Sequence, residues 1–206
     1  MSVLRDRLAP LSCEFFGKRV EKEFGARRRA VLADARGRVL EIGAGTGFNL
    51  EHYPAEVGEI VITEPAAGMM RRAQRRADEL GRPVTAVLAS AERLPFEDRS
   101  FDTVVSTLVL CSVEHQDRAL AEIRRVLKPG GRLLFIEHVR SDEPRLARWQ
   151  DRLERPWGVA MGCSPNRATL ERIEAAGFDV EELEHGKLPK SPPIVRPLIS
   201  GRAIAG

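Results

Sequence analysis

The stretch that most constrains this chain is the ten-residue run RVLEIGAGTG at residues 38–47. Val39, Leu40 and Ile42 form a short apolar run, and glycine then occupies every second position. Glycine lets the backbone turn sharply and approach a ligand closely, because it has no Cβ. The pattern therefore predicts a buried strand, a glycine-rich turn and a short helix after Phe48, as in the first βα unit of a nucleotide-binding sheet.

The spacing of the glycines separates two classes of cofactor. The dinucleotide fingerprint G-x-G-x-x-G needs glycine at position 48, where this chain has Phe48. The spacing Glu41-x-Gly43-x-Gly45-x-Gly47 instead resembles motif I of the class I methyltransferases, which bind S-adenosylmethionine. On this turn alone, another nucleotide binder and a purely structural turn remain open as alternatives.

Composition narrows the class of protein. A chain of 206 residues with 43% hydrophobic and 31% charged residues suits one globular domain with a sizeable core. The net charge of +3 gives no indication of a nucleic-acid partner. Cys13, Cys111 and Cys163 are too few and too far apart for a disulfide framework or a zinc site, so we expect a reducing, cytoplasmic environment and no metal. No run of about 18 apolar residues occurs, so no membrane span is expected.

Strand and helix patterns alternate along the rest of the chain. Strands are predicted at residues 38–43, 59–63, 84–89, 103–110, 132–137, 178–183 and 199–204, and helices at 69–80, 114–127, 144–157 and 165–176. The sequence KPGG at residues 128–131 is interpreted as the stop signal of the second of these helices. This alternation, closed by a pair of strands, predicts a three-layer α/β sandwich.

We predict a single domain over residues 1–206 with three parts. Residues 1–35 carry apolar residues at helical spacing and are interpreted as a helical lid over the cofactor cleft, or as an interfacial helix that contacts lipid. Residues 36–140 form the cofactor-binding core, and residues 141–206 supply substrate-side helices and the final strand pair. The arginine run at residues 27–29 is interpreted as a solvated face.

An acidic residue closes the second predicted strand. Glu64 follows the strand at residues 59–63, and Pro65 indicates that the strand ends there. In nucleotide-binding sheets an acid at this place accepts hydrogen bonds from the ribose hydroxyl groups. A surface glutamate at a strand end is the alternative interpretation.

Later landmarks carry a family resemblance. The segments LPFEDRSFDTVV and AEIRRVLKPGG, together with EIGAGTG, resemble the methyltransferase domain of many small-molecule and lipid methyltransferases over roughly residues 36–140. More narrowly, TLVLCSV (residues 107–113), IEHV (136–139) and VRPLISGRAIAG (195–206) resemble the animal microsomal alkyl-thiol methyltransferases. That family carries a hydrophobic N-terminal anchor, which residues 1–35 do not resemble. It also has Asp and Cys where this chain has Glu64 and Ala44.

The resemblance implies a Rossmann-like, mostly parallel seven-stranded sheet of order 3-2-1-4-5-7-6 with strand 7 antiparallel. It implies S-adenosyl-L-methionine as cofactor and S-adenosyl-L-homocysteine as product. The glycine turn would line the methionine and ribose side, the acid after strand two would bind the ribose, and the segments after strands two, three and four would contact adenine and the methyl group. The implied cofactor-binding residues are Glu41, Gly43, Ala44, Gly45, Gly47, Glu64, Pro65, Met69, Ser90, Ala91, Glu92, Thr107 and Leu108.

The chemistry of methyl transfer selects few further candidates. Because the sulfonium cofactor is a strong electrophile, the protein mainly aligns the nucleophile and excludes water. A thiol with a pKa of about 8.5 needs only about 1 to 2 kcal/mol to ionise near neutral pH, whereas an alkyl amine needs about 4. His138, at the end of the fifth strand, is the catalytic candidate, with a structural histidine as the alternative. Cys111, His115 and Cys163 are candidates for the substrate pocket, although Cys111 also suits a small buried core residue.

The function predicted from the sequence is methyl transfer to a small-molecule acceptor, with a thiol sulfur as the best choice. The alternatives are a phosphatidylethanolamine N-methyltransferase, a quinone-type C-methyltransferase and a non-catalytic S-adenosylmethionine-binding regulator. The expected partner is therefore a small molecule or a lipid head group, with no nucleic acid. Peripheral contact of the N-terminal helix with a membrane surface stays open.

Overall fold

The computed structural model describes residues 24–206, which form one seven-stranded sheet flanked by helices. The strands are β1 (Arg38–Ile42), β2 (Glu59–Thr63), β3 (Thr85–Val87), β4 (Phe101–Thr107), β5 (Leu127–His138), β6 (Phe178–Lys187) and β7 (Pro197–Ala205). The helices are α1 (residues 24–32), α2 (Ala67–Glu79), α3 (Gln116–Val126), α4 (Pro144–Met161) and α5 (Thr169–Ala175), with a short 3-10 turn at Pro193–Val195.

The predicted sheet topology is confirmed. The strand order is β3-β2-β1-β4-β5-β7-β6. Strands β1 to β5 pair in parallel, and β7 is antiparallel to both β5 and β6. Since β1, β2, β4 and β5 run the same way, the segments that follow them meet at one edge of the sheet, where ligands of such folds bind.

Helices cover both faces of the sheet, which gives the predicted three layers. Buried residues of α1 and α2 pack on one face and those of α3 and α5 pack on the other. Each helix buries a stripe at helical spacing while successive strand residues alternate between the faces. On the first face Leu32, Met70 and Ala73 pack with Val39, Ile60 and Ile62; on the second Leu120, Ile123 and Ile173 pack with Leu40, Leu133 and Phe135.

One local prediction is wrong, and another needs an addition. Residues 44–52 form successive turns and not a helix, with backbone bonds from Gly47 to Ala44, Leu50 to Gly47 and His52 to Asn49. These hydrogen bonds span three residues and not the four of an α-helix. Glycines at positive φ also interrupt a regular helix here. The predicted stop of α3 before KPGG is confirmed, since the helix ends at Val126. Residues 128–131 themselves belong to β5, where the register with β4 shifts.

The predicted lid lies mostly outside the described residues. Residues 1–23 are not described, and residues 24–32 are helical. Phe24 packs on Ile136 and Leu198 near the ends of β5 and β7. Arg28 is only 9% exposed, so the interpretation of residues 27–29 as a solvated face is wrong for this arginine. Within residues 24–206, no helix has both the length and the apolar character needed to cross a membrane.

Candidate active site

The glycine turn after β1 adopts backbone conformations that explain its composition. Gly43, Gly45 and Gly47 have φ values of +55°, +58° and +82°. A Cβ on Gly43 would lie 2.7 Å from a Val109 methyl, and one on Gly47 would lie 2.9 Å from Leu50. A Cβ on Gly45 would have no protein atom closer than 4.0 Å. The backbone of Gly45 is therefore the part of the turn that is open to a ligand.

The carboxylate of Glu64 lies directly beside this open backbone. Its two oxygens accept hydrogen bonds from the backbone N–H groups of Gly45 at 3.0 Å and Ala66 at 2.9 Å. The residue is 6% exposed, and burial raises the pKa of the carboxyl while these two bonds oppose that rise. Each oxygen keeps a second lone pair, so the carboxylate can still accept hydroxyl groups.

A second carboxylate, Glu41, anchors the turn from within the α1 and α2 face. Tyr53 donates its hydroxyl to Glu41 at 2.7 Å, and the Asn49 amide nitrogen donates at 3.1 Å. The same amide nitrogen donates to Thr107 Oγ1 at 3.1 Å, while Arg28 donates to the amide oxygen at 2.6 Å. Asn49 thus links α1, the residue before the turn and the end of β4 into one buried network. Glu41 is buried inside the network, behind the open backbone of Gly45.

The Glu41 network predicts a pH dependence of stability. Burial raises the pKa of Glu41 from 4.5 to about 7, against the hydrogen bonds and the Arg28 charge. The folded carboxyl holds its proton more tightly than the unfolded one. The free energy of unfolding should therefore fall as pH rises from about 4.5 to about 7, by roughly 3 kcal/mol from this group.

Urea denaturation at pH values below and above this window measures the effect. Glu41→Gln should remove most of this pH-dependent fall, because glutamine does not titrate. Glu51→Gln is the matched control, since Glu51 is exposed on the same turn segment, and it should leave the fall as in the parent chain. Equal pH slopes for Glu41→Gln and the parent chain would contradict the buried, proton-holding carboxyl.

The residues predicted at the adenine side surround Glu64 in sequence and follow β3. Pro65 is exposed and Met69 is partly exposed. In the segment after β3, Ala91 is buried in the core, and the Ser90 hydroxyl accepts a bond from the Glu92 N–H at 3.3 Å. These side chains lie after β2 and β3, along the same carboxyl edge as the glycine turn.

The loop after β4 is organised by an acid that sequence reasoning missed, Glu137. This residue is fully buried and accepts four hydrogen bonds. The donors are the Ser106 hydroxyl at 2.7 Å and the backbone N–H groups of Val109, Leu110 and Cys111 at 3.1, 3.2 and 3.4 Å. Burial raises the pKa of Glu137, and the bonds to it act in the opposite direction. The sequence did carry a signal for this acid, since Glu137 is the one acid in the apolar run LLFIEH. A charged residue buried in such a run needs hydrogen-bond partners.

Leu108 begins this loop in an unusual conformation. Its φ is +57°, which is rare for a residue with a side chain. Its N–H donates to the carbonyl of Ile136 at 2.8 Å. Such a backbone persists where surrounding contacts over-determine it. The bonds to Glu137 supply those contacts, so the segment predicted to lie beside the methyl group is held in one shape.

Two cysteines and a histidine come together beyond this loop. Cys111 is 2% exposed and His138 is 4% exposed, whereas Cys163 is partly exposed. The Trp157 indole N–H donates to Cys163 Sγ at 3.3 Å. Hydrogen bonding with the Cys111 thiol lowers the pKa of Cys163 to about 4, and the His138 ring and Trp157 act in the same direction against burial. That same interaction, with burial and the nearby Glu137, raises the pKa of Cys111 well above its usual range.

The His138 ring has spare hydrogen-bonding capacity. Within residues 24–206 neither ring nitrogen has a hydrogen bond of ordinary geometry, although both are buried. The described residues contain no group of three side chains able to hold a metal ion, so the cluster of His138, Cys111 and Cys163 is not a metal site of that kind. A buried imidazole whose nitrogens make no hydrogen bond of ordinary geometry keeps the capacity to bond to a ligand.

His115, by contrast, lies apart from this cluster. Its side chain is exposed at the N-terminal end of α3, and its backbone N–H donates to the Glu92 carboxylate at 2.8 Å. The structure therefore brings Cys111, Cys163 and His138 together and leaves His115 on the side of the segment after β3.

Comparison with known proteins identifies the family. Residues 40–135 match the family described as a methyltransferase domain. Thiol S-methyltransferase TMT1A of Homo sapiens is 35% identical over 173 residues, which span 81% of this chain and 70% of that protein. The chain belongs to the S-adenosylmethionine-dependent methyltransferase family. It is therefore an enzyme, and the non-catalytic alternative is set aside.

Other relatives differ in the reaction that they catalyse. The ubiquinone/menaquinone biosynthesis C-methyltransferase UbiE of Bordetella parapertussis is 39% identical over 129 residues, 61% of this chain and 49% of that protein. An S-adenosylmethionine-dependent methyltransferase of Mesorhizobium loti matches with a TM-score of 0.65 at 19% identity, over 88% of this chain and 97% of that chain. The [4+2]-cyclase SpnF matches with a TM-score of 0.68 at 22% identity, over 85% of this chain and 77% of that chain. The fold alone therefore does not determine the acceptor.

Proposed function

We propose that this methyltransferase transfers the methyl group of S-adenosylmethionine to the sulfur of a small thiol. The observation that carries the proposal is the buried His138 imidazole, which has no hydrogen bond of ordinary geometry from the described residues and lies at the edge where methyl transfer would occur. The similarity to thiol S-methyltransferase TMT1A agrees with this choice of acceptor.

The residues of the carboxyl edge fit the cofactor. The open backbone of Gly45 would accommodate its close approach, and Glu64 would accept hydrogen bonds from the ribose hydroxyls. Pro65 and Met69 would border the adenine, with the Ser90–Glu92 segment at its edge. When bound, S-adenosylmethionine supplies an electrophilic methyl group on a sulfonium centre. Thr107 and Leu108 would border that group, held in place by Asn49 and Glu137.

The acid–base demand of a thiol matches what this edge offers. A thiol with a pKa of about 8.5 loses its proton near neutral pH for about 1 to 2 kcal/mol, which one imidazole can supply. Burial of His138 also excludes water from the proton transfer. An alkyl amine would need about 4 kcal/mol, and a carbon acceptor more, from the same single group. His138 is therefore proposed as the proton acceptor, with Cys111 and Cys163 lining the acceptor side.

Transfer of labelled methyl from S-adenosylmethionine tests the acceptor directly. The full chain is incubated in parallel with a small alkyl thiol, phosphatidylethanolamine vesicles and a demethylated quinone. We expect label on the thiol without vesicles. Label on the lipid alone or on the quinone alone would overturn the thiol assignment. The quinone arm is required because UbiE is among the similar proteins.

Replacement of His138 tests its role. His138→Gln should lower kcat for the thiol about 100-fold near neutral pH, as expected for loss of a positioned base. The deficit should shrink as pH approaches the thiol's own pKa, because the acceptor then ionises unaided. His185→Ala is the control, since His185 is exposed on the outer strand β6. A deficit equal at all pH values would indicate a structural role for His138.

A further inference from the structure

Cys111 and Cys163 lie far apart in sequence, but the chain segments that carry them are hydrogen-bonded to each other. Cys111 belongs to the loop after β4, and Cys163 follows α4. The N–H of Ser164 donates to the carbonyl of Cys111 at 2.8 Å. That bond holds the segment of Cys163 against Cys111, and the two thiols interact. Close approach of the two segments is the first requirement for a disulfide between them.

The two thiols have different surroundings. Cys163 is partly exposed and accepts the Trp157 indole N–H, so a thiolate at this sulfur is stabilised. Cys111 is buried beside the Glu137 carboxylate, which disfavours a second negative charge and keeps this thiol protonated. One accessible thiolate next to one buried thiol is the arrangement of an attacking and a resolving cysteine.

We infer that Cys111 and Cys163 form a redox-active pair that is oxidised by hydroperoxides to an intramolecular disulfide. The Cys163 thiolate attacks the peroxide oxygen, so that an S–O bond forms, the O–O bond breaks and the leaving alkoxide or hydroxide takes a proton. Cys111 then attacks the resulting sulfenic sulfur, the S–S bond forms, and hydroxide departs with the Cys111 proton as water. The two sulfurs are oxidised, and the peroxide is reduced to an alcohol, or to water, with one further water released.

The Cys111–Cys163 disulfide would connect the loop after β4 to the segment after α4, beside His138. It concerns the protein's own sulfurs and is independent of which acceptor receives the methyl group. A test of the disulfide therefore stands or fails separately from the thiol methyltransferase proposal.

Peptide mapping tests the pair on the full chain. The variant Cys13→Ser removes the only other cysteine. It is treated with one equivalent of hydrogen peroxide, alkylated and digested without reductant. We expect a cross-linked peptide that contains Cys111 and Cys163, is two hydrogen atoms lighter than the sum of its parts, and is lost after dithiothreitol. Full alkylation of both cysteines after peroxide, or cross-links only between molecules, would overturn the inference.

Two variants separate the roles of the sulfurs. In Cys111→Ser a sulfenic-acid trap such as dimedone should label Cys163, whereas in Cys163→Ser it should leave Cys111 unlabelled. The oxidation rate should also stay nearly flat between about pH 6 and pH 8, where an ordinary cysteine reacts about tenfold faster per unit of pH. Labelling of Cys111 alone, or an ordinary pH profile, would contradict the assignment of Cys163 as the attacking sulfur. The peptide map of the Cys13→Ser chain tests the disulfide without either of these two variants.

Discussion

Replacing Glu64 with alanine should weaken binding of the cofactor about 10- to 100-fold. This corresponds to the loss of roughly 1 to 3 kcal/mol from hydrogen bonds to a charged acceptor. The substitution removes the acceptor proposed for the ribose hydroxyls. It also releases the N–H of Gly45, which Glu64 now holds at 3.0 Å, so the open backbone of the glycine turn loses its support.

Calorimetric titration with S-adenosyl-L-homocysteine measures the change, and a 2′-deoxyribose analogue of this ligand isolates the ribose contact. The parent chain should bind the analogue more weakly than the natural ligand, whereas Glu64→Ala should bind the two alike. Glu59→Ala is the matched control, because Glu59 is an exposed acid at the opposite end of β2 that pairs with Arg38. Unchanged affinity in Glu64→Ala would refute the ribose assignment.

The sequence carried enough information to predict the sheet and the turn. An alternation of strand and helix patterns has few compact solutions, and the resemblance selected one strand order among them. Glycine at positions 43, 45 and 47 also specified positive φ, because only that residue adopts it without strain. These features are local, or are repeated along the chain, so a linear pattern records them.

The supports of the site are of a different kind and could not be predicted. Asn49 and Tyr53 donate to Glu41, and Arg28 joins them through Asn49 once α1 lies on the sheet. Nothing in the sequence spacing of these residues indicates the contacts. Glu137 does stand out as the one acid in an apolar run, but its donors lie about thirty residues earlier in the chain, and the sequence does not identify them. The short helix expected after Phe48 was also wrong, because the backbone hydrogen bonds there span three residues and form turns instead.

Disrupting Glu137 should have the largest effect on stability. Glu137→Ala leaves three backbone N–H groups and the Ser106 hydroxyl without their acceptor in a fully buried place. Each buried donor left unpaired costs about 1 to 3 kcal/mol, and partial access of water to the opened loop reduces the sum. We therefore expect a loss of roughly 3 to 5 kcal/mol, a large share of the about 5 to 15 kcal/mol that stabilises a typical domain.

Urea denaturation of Glu137→Ala, Glu137→Gln and Ser106→Ala tests the expected order of their losses in stability. Ser106→Ala removes one donor and leaves the carboxylate with its backbone partners, so it should cost only about 1 kcal/mol. Glu137→Gln keeps the shape but turns one acceptor oxygen into a donor facing N–H groups, so its cost should fall between those of the other two. Leu108 has a strained, positive φ in this loop. Without the carboxylate, fewer contacts hold its backbone in that conformation. A Glu137→Ala chain as stable as Ser106→Ala would mean that the backbone, and not this acid, shapes the loop proposed to border the methyl group.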